Sequence, residues 1–177
     1  VVDRVLLRKN LEILNSVQKH TGAKILLALK GYAMFSSFPL VREYLHGICA
    51  SSPHEARLGR EDFGREVHSF AAAYSETDFT ELATLSDHIV LNSMSQYDRF
   101  IPLIKQYSGK VEFGLRINPE HRETEVEMYD PCAPLSRLGI TRKNFPDRLP
   151  EYISGLHFHT LCQQNSDALA RTVEAAE

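Results

Sequence analysis

KILLALKGYAMFSSFPLVREYL, residues 24–45, decides the fold. Its first seven residues are an apolar run of strand length between two lysines, and PLVREYL has helical spacing, so the segment reads as strand followed by helix. The alternation recurs along the chain. HGICAS precedes PHEARLGREDFG, EVHSFAAAY precedes ETDFTELATL, HIVLNS precedes SQYDRFIPLIKQY, and ISGLHFHTL precedes SDALARTVEAA, while KVEFGLRINP runs into a long irregular stretch. Six strands are predicted, beginning near residues 24, 47, 68, 88, 111 and 153. The first five are about 20 to 23 residues apart, the length of one strand plus one crossover helix, and such units imply a parallel sheet.

A helix precedes the first unit. Asp3 can cap it, Leu7, Leu11, Leu14 and Val17 recur at steps of four, three and three, and it is predicted to bury that stripe and end near Gly22. A doubly wound sheet and a (β/α)8 barrel both satisfy the strand–helix pattern. Even spacing, and the lack of a GxGxxG loop after the first strand, favour the barrel. The expected fold class is therefore α/β, an incomplete TIM-type (β/α)8 barrel. Six units cannot close eight strands, DALARTVEAAE stops inside a helical pattern, and VVDRVLLRKN opens without Met. Residues 1–177 are accordingly expected to be part of a barrel domain whose last units lie beyond Glu177.

Composition excludes several classes. A net charge of -3 with no block of either sign gives no basic footprint for nucleic acid. No apolar stretch approaches the roughly 20 residues of a membrane span, and VVDRVLLRKN does not follow the basic, apolar, small-residue pattern of a signal peptide. Cys49, Cys132 and Cys162 fit neither a disulfide framework nor CxxC zinc spacing, so a reducing cytoplasm is expected. The stretch from Pro119 to Pro150 breaks the rhythm. Loops of this length are usually functional or disordered, and its centre, DPCAPLSRLGI, is apolar enough to be ordered, lying over the barrel mouth.

In a parallel barrel the site lies at the carboxyl ends of the strands. Those ends deliver Lys30, Ser51, Ser52, Tyr74, Asn92, Ser93, Arg116, Asn118, His157 and His159. Lys30 closes an apolar run; in a low-dielectric mouth its amine would titrate low enough to serve as a nucleophile in Schiff-base chemistry, against the plainer reading of a lysine extending to solvent. His157 and His159, two apart, share one strand face, which leaves metal ligation, stacking on a flat cofactor, or core packing open. Metal needs further ligands, no other strand end supplies His, Asp or Glu, and Arg116 and Lys30 add positive charge, so no metal is expected there. A flat anionic cofactor suits the set better. No phosphate loop is present within the 177 residues.

LLALKGYA at 26–33, VLNSMSQYDRF at 90–100, FGLRINP at 113–119, DPCAPLSRLGI at 130–140 and LHFHTLCQQ at 156–164 together resemble the carboxynorspermidine/carboxyspermidine decarboxylases, within the alanine-racemase-like pyridoxal-phosphate (PLP) dependent decarboxylases. The resemblance runs nearly end to end. It implies PLP held covalently on Lys30, His159 stacked on the cofactor ring, Arg116 supporting that side of the site, a carboxylated polyamine as substrate, and a cytoplasmic homodimer. It also implies that the phosphate loop, the partner of the pyridinium nitrogen and a C-terminal β domain lie outside these residues. Gln163 stands where the family pattern has an acid, and ASSPHEA at 50–56 lacks an acid before its serines. The alternatives are a diaminopimelate- or ornithine-type decarboxylase, a non-catalytic PLP-binding barrel, and a metal-dependent hydrolase using the HFH pair.

Overall fold

The computed structural model describes residues 1–124 and 126–177. Two compact units divide it, the first comprising Val1–Phe70 with Ser75–Ile89 and the second Ala71–Tyr74 with Val90–Glu177.

The first unit opens with α1 (Arg4–Thr21), where Asp3 accepts from the N–H groups of Val5 and Leu6 and Gly22 closes the end in the left-handed conformation. The expected buried stripe is incomplete. Leu11 is buried, while Leu14 and Val17 are 37% and 45% exposed. Polar contacts tie this helix down instead: Gln18 donates to the Tyr44 carbonyl and accepts from the Ile25 N–H, and Arg8 donates to the Tyr44 hydroxyl. Strands β1 (Leu26–Ala28), β2 (Gly47–Ala50) and β3 (Glu66–Phe70) then pair in parallel, with Ala28 opposite Cys49 and Cys49 opposite His68. Between them run α2 (Phe38–Val41), shorter than its sequence pattern, and α3 (Pro53–Leu58), which continues as a π-helical turn over Gly59–Phe63. After β3 comes α4 (Glu76–Leu85).

Period-two patterning gives β3 two faces. Val67 and Ser69 are buried, and Glu66, His68 and Phe70 point the other way. On the buried face the helices supply Phe38 and Phe63, packed edge to face at 5.3 Å, with Phe79 and Leu82. Each such side chain contributes about 1.5–3 kcal/mol of burial. Gly59 permits the approach, since a Cβ there would lie 2.4 Å from the Ile48 Cγ1.

Strand β4 (His88–Leu91) leads into α5 (Met94–Tyr107), whose N-cap is Ser93. In the second unit β5 (Glu112–Asn118) carries a parallel partner on each half of its length. Ile117 and Asn118 pair with β6 (Ile140–Thr141), and Phe113 to Arg116 pair with β7 (Ile153–His157). Helix α6 (Ser166–Ala176) follows. All six predicted strands are present, and β6 makes a seventh. Its two residues lie within the irregular loop, too short to show periodicity.

The described residues of that loop are held by specific anchors. Asn92 at the end of β4 donates to the Arg137 carbonyl at 2.8 Å and accepts from the Gly139 N–H at 2.9 Å. Buried Asp130 accepts from the Cys132 N–H and from Arg122. Glu123 receives both Arg171 and His121, which hold its carboxyl at about 2 and tie the start of the loop to α6. Gly139 has φ 83°, and a Cβ there would lie 2.7 Å from the Ile117 carbonyl carbon. Gly139→Ala is therefore expected to cost about 1–3 kcal/mol or more, because left-handed strain and a backbone clash act together. Chemical denaturation of the full-length protein measures this, and an unchanged midpoint would contradict it.

Candidate active site

The polar residues at the strand ends divide by what already occupies them. Ser52 and Ser93 are N-caps, accepting from the Glu55 and Gln96 N–H groups, and Glu55 reaches back to the Ser51 N–H at 2.6 Å. Tyr74 is buried, its hydroxyl accepting from the Ala71 N–H and donating to the Val90 carbonyl, and this burial pushes its ionisation far above the usual value. Asn92 brackets the loop, and Asn118 accepts from the Glu120 N–H. These groups maintain the framework. The candidates left for chemistry are Lys30 in the first unit and Arg116, His157 and His159 in the second.

Lys30 does not end a strand, as the sequence pattern predicts. β1 stops at Ala28, and Lys30 lies on the turn that follows, where the Gly31 and Tyr32 N–H groups both donate to the Ala28 carbonyl. Its side chain is exposed rather than enclosed, because it lies beyond the last sheet pairing. It acts on the neighbouring strand nonetheless: desolvation pushes the Cys49 thiol up and the Lys30 charge opposes it. Two residues on, the Tyr32 hydroxyl is buried with no hydrogen-bond partner among the described residues.

Strand β7 also ends earlier than predicted. His157 is its last residue, opposite Arg116 on β5, and His159 lies in the coil beyond. The shared-face argument for the two imidazoles therefore fails, since alternation stops with the ladder. His159 is exposed and His157 half-buried. Arg116 is 4% exposed, and its Nη2 donates to the His159 carbonyl at 3.1 Å, so one candidate fixes the backbone of another. Burial draws its guanidinium below the usual value, with Cys132 working against this. Thr160, next along, has a buried hydroxyl without a hydrogen-bond partner among the described residues.

Each unit's groups have their own chemistry: in the first, the accessible Lys30 amine can bond a carbonyl carbon and the Tyr32 hydroxyl can accept or donate; in the second, the exposed His159 imidazole can cover a ring, the buried Arg116 guanidinium offers positive charge and the Thr160 hydroxyl can accept or donate.

Comparison with known proteins bears on this reading. The chain is 41% identical over 169 residues to the carboxynorspermidine/carboxyspermidine decarboxylase of Campylobacter jejuni, covering 96% of the chain and 43% of that protein. The chain is homologous to the carboxynorspermidine/carboxyspermidine decarboxylases. It is also 39% identical to the carboxyaminopropylagmatine decarboxylase of Synechocystis, covering the whole chain and 45% of that protein. The crystal structure of carboxynorspermidine decarboxylase complexed with norspermidine, from Campylobacter jejuni, superposes with a TM-score of 0.85 at 37% identity, over 99% of the chain and 44% of that structure. Diaminopimelate decarboxylase from Helicobacter pylori, complexed with L-lysine, gives a TM-score of 0.71 at 16% identity, over 96% of the chain and 47% of that structure, a likeness of fold alone. No protein-family model matches. The fold class is thus α/β with parallel strands, as in the barrel decarboxylases. The chain spans less than half the length of these relatives. No helix among the described residues is long and apolar enough to cross a membrane.

Sequence reasoning missed two kinds of residue. Tyr32 and Thr160 lie beside Lys30 and His159, yet a buried hydroxyl leaves no signature in a sequence. Glu66, His68 and His88 form a cluster that a search restricted to carboxyl strand ends overlooks. Lys24 holds the Glu66 carboxyl down at about 2, with His68 acting the same way, and burial keeps the His68 imidazole below its usual value against the pull of Glu66.

Proposed function

We propose that the chain supplies barrel residues of a PLP-dependent decarboxylase acting on a carboxylated polyamine, carboxynorspermidine or carboxyspermidine, to give norspermidine or spermidine. The observation carrying the proposal is 41% identity across 96% of the chain to an enzyme of that name. Bound PLP supplies an electron sink for the electron pair left behind when carbon dioxide departs. Lys30 Nζ would hold the cofactor covalently and, when free, would carry a proton between solvent and the site. The His159 imidazole would cover one face of the cofactor ring, and Arg116, through its bond to the His159 carbonyl, would be a positioning residue for it. We extend the proposal to a cytoplasmic homodimer, in keeping with the resemblance and with three free cysteines.

A second reading has its own support, since the 39% identity to carboxyaminopropylagmatine decarboxylase spans the entire chain. Carbon dioxide release by the full-length protein with PLP, measured side by side on carboxynorspermidine, carboxyspermidine and carboxyaminopropylagmatine, distinguishes them, and faster turnover of carboxyaminopropylagmatine would select the second reading. A carboxylated polyamine is expected to be turned over with a kcat/KM at least about 100-fold above diaminopimelate or ornithine, which lack the tail that supplies remote binding energy. Equal or better turnover of diaminopimelate or ornithine would overturn the assignment, and PLP binding without turnover of any of them would identify a non-catalytic PLP-binding barrel.

A further inference from the structure

We propose that Glu66, His68 and His88 bind a transition metal ion of the zinc type, which staples the amino-terminal ends of β3 and β4. Glu66 opens β3 and His88 opens β4, while His68, two residues after Glu66, shares its face. One ligand atom from each lies within 4.8 Å of the other two. Two imidazoles and one carboxylate form a donor set suited to zinc and its first-row neighbours, whereas magnesium and calcium prefer oxygen alone.

The geometry is close to what an ion requires. Glu66 Oε2 and His68 Nε2 are 3.2 Å apart. Two ligands about 2.0–2.2 Å from a zinc ion at tetrahedral or narrower angles lie about 3.0–3.5 Å from each other, so an ion can replace the proton between these two atoms. The His88 ring is stacked on that of His68, with centroids 4.0 Å apart and planes at 16°. Binding would require the His88 ring to turn out of this stack so that a ring nitrogen faces the same gap. Lys24 occupies Oε1 of Glu66 at 2.6 Å, which orients the carboxylate and leaves Oε2 for the metal.

The strands that carry the ligands are fixed without the ion. Val67 N–H donates to the Asp87 carboxylate at 2.8 Å, Asp87 N–H donates to the Val67 carbonyl at 2.9 Å, and Arg60 holds the same carboxylate. Such a preformed frame is how outer groups orient metal ligands. The cluster lies at the strand starts, opposite the ends that deliver Lys30, where barrel residues serve stability rather than reaction. The role inferred is structural and is independent of the proposed decarboxylation.

The test uses full-length protein freed of metal with a chelator, titrated with Zn2+ by calorimetry and with Co2+ by visible absorption. One ion per chain, the d–d bands of nitrogen-and-oxygen-ligated Co2+, and a raised melting temperature with Zn2+ but not Mg2+ are expected. His88→Gln and Glu66→Gln should each weaken binding by at least the roughly 10- to 100-fold that loss of even an outer partner costs. Glu66→Gln keeps the side-chain volume and an acceptor for Lys24, so it carries the test if loss of an imidazole prevents folding. Far-ultraviolet circular dichroism without metal checks the fold of each variant. Wild-type protein that binds no Zn2+, or variants that bind it as tightly, would overturn the proposal.

Discussion

Lys30→Ala in the full-length protein is expected to lower decarboxylation by about 1,000-fold or more and to abolish covalent retention of PLP, with thermal stability unchanged within about 0.5 kcal/mol. The separation of effects follows from its position. Lys30 is exposed on a turn held by the Gly31 and Tyr32 N–H groups, both donating to the Ala28 carbonyl, so the backbone survives loss of the side chain. Among the described residues the amine forms no ion pair, unlike that of Lys24, which is held by Glu66. Borohydride reduction of wild-type protein followed by peptide mass spectrometry should place the pyridoxyl adduct on the peptide containing Lys30. An adduct on another lysine would reject the assignment.

The regular parts of the fold were legible because each strand and helix is built from residues that alternate or recur with a fixed period. LLA, GICA, EVHSF, HIVL and EFGLRIN fall within the predicted runs, and Asp3 and Gly22 bound α1 as their cap chemistry requires. Reading stopped where tertiary contacts take over. Ile140 and Thr141 form a strand only because Gly139 allows close approach to Ile117 and Asn92 holds the SRLG turn. The stripe of α1 looked buried by spacing, yet spacing reports which residues share a face and not what covers them. The site shows the same limit. Lys30 and His159 were legible as residue types near strand ends, whereas the ends themselves fall two residues earlier, at Ala28 and His157. The bond from Arg116 to the His159 carbonyl joins two segments 43 residues apart, and nothing in either segment announces it.

This shift of the strand end sharpens the contrast between the two imidazoles. His157 remains in the ladder, opposite Arg116 and half-buried, while His159 stands beyond it, exposed, with its carbonyl held by the Arg116 guanidinium. A ring that covers a cofactor must be reachable, and a backbone fixed by a buried charge is a suitable mount, since misplacement by about 1 Å can cost on the order of 100-fold in rate. His159→Ala is accordingly expected to weaken PLP binding and lower turnover, each by about 10- to 100-fold, with little change in melting temperature, because the exposed side chain contributes little packing. His157→Ala should act through stability, losing about 1–3 kcal/mol as a half-buried polar contact and its packing are removed, with PLP affinity preserved once the variant is folded. PLP dissociation constants and thermal unfolding of both variants decide between these roles. If His157→Ala released the cofactor and His159→Ala only lowered the melting temperature, the ring-covering role would pass to the ladder residue, and the position of Arg116 against the His159 carbonyl would be a feature of folding alone.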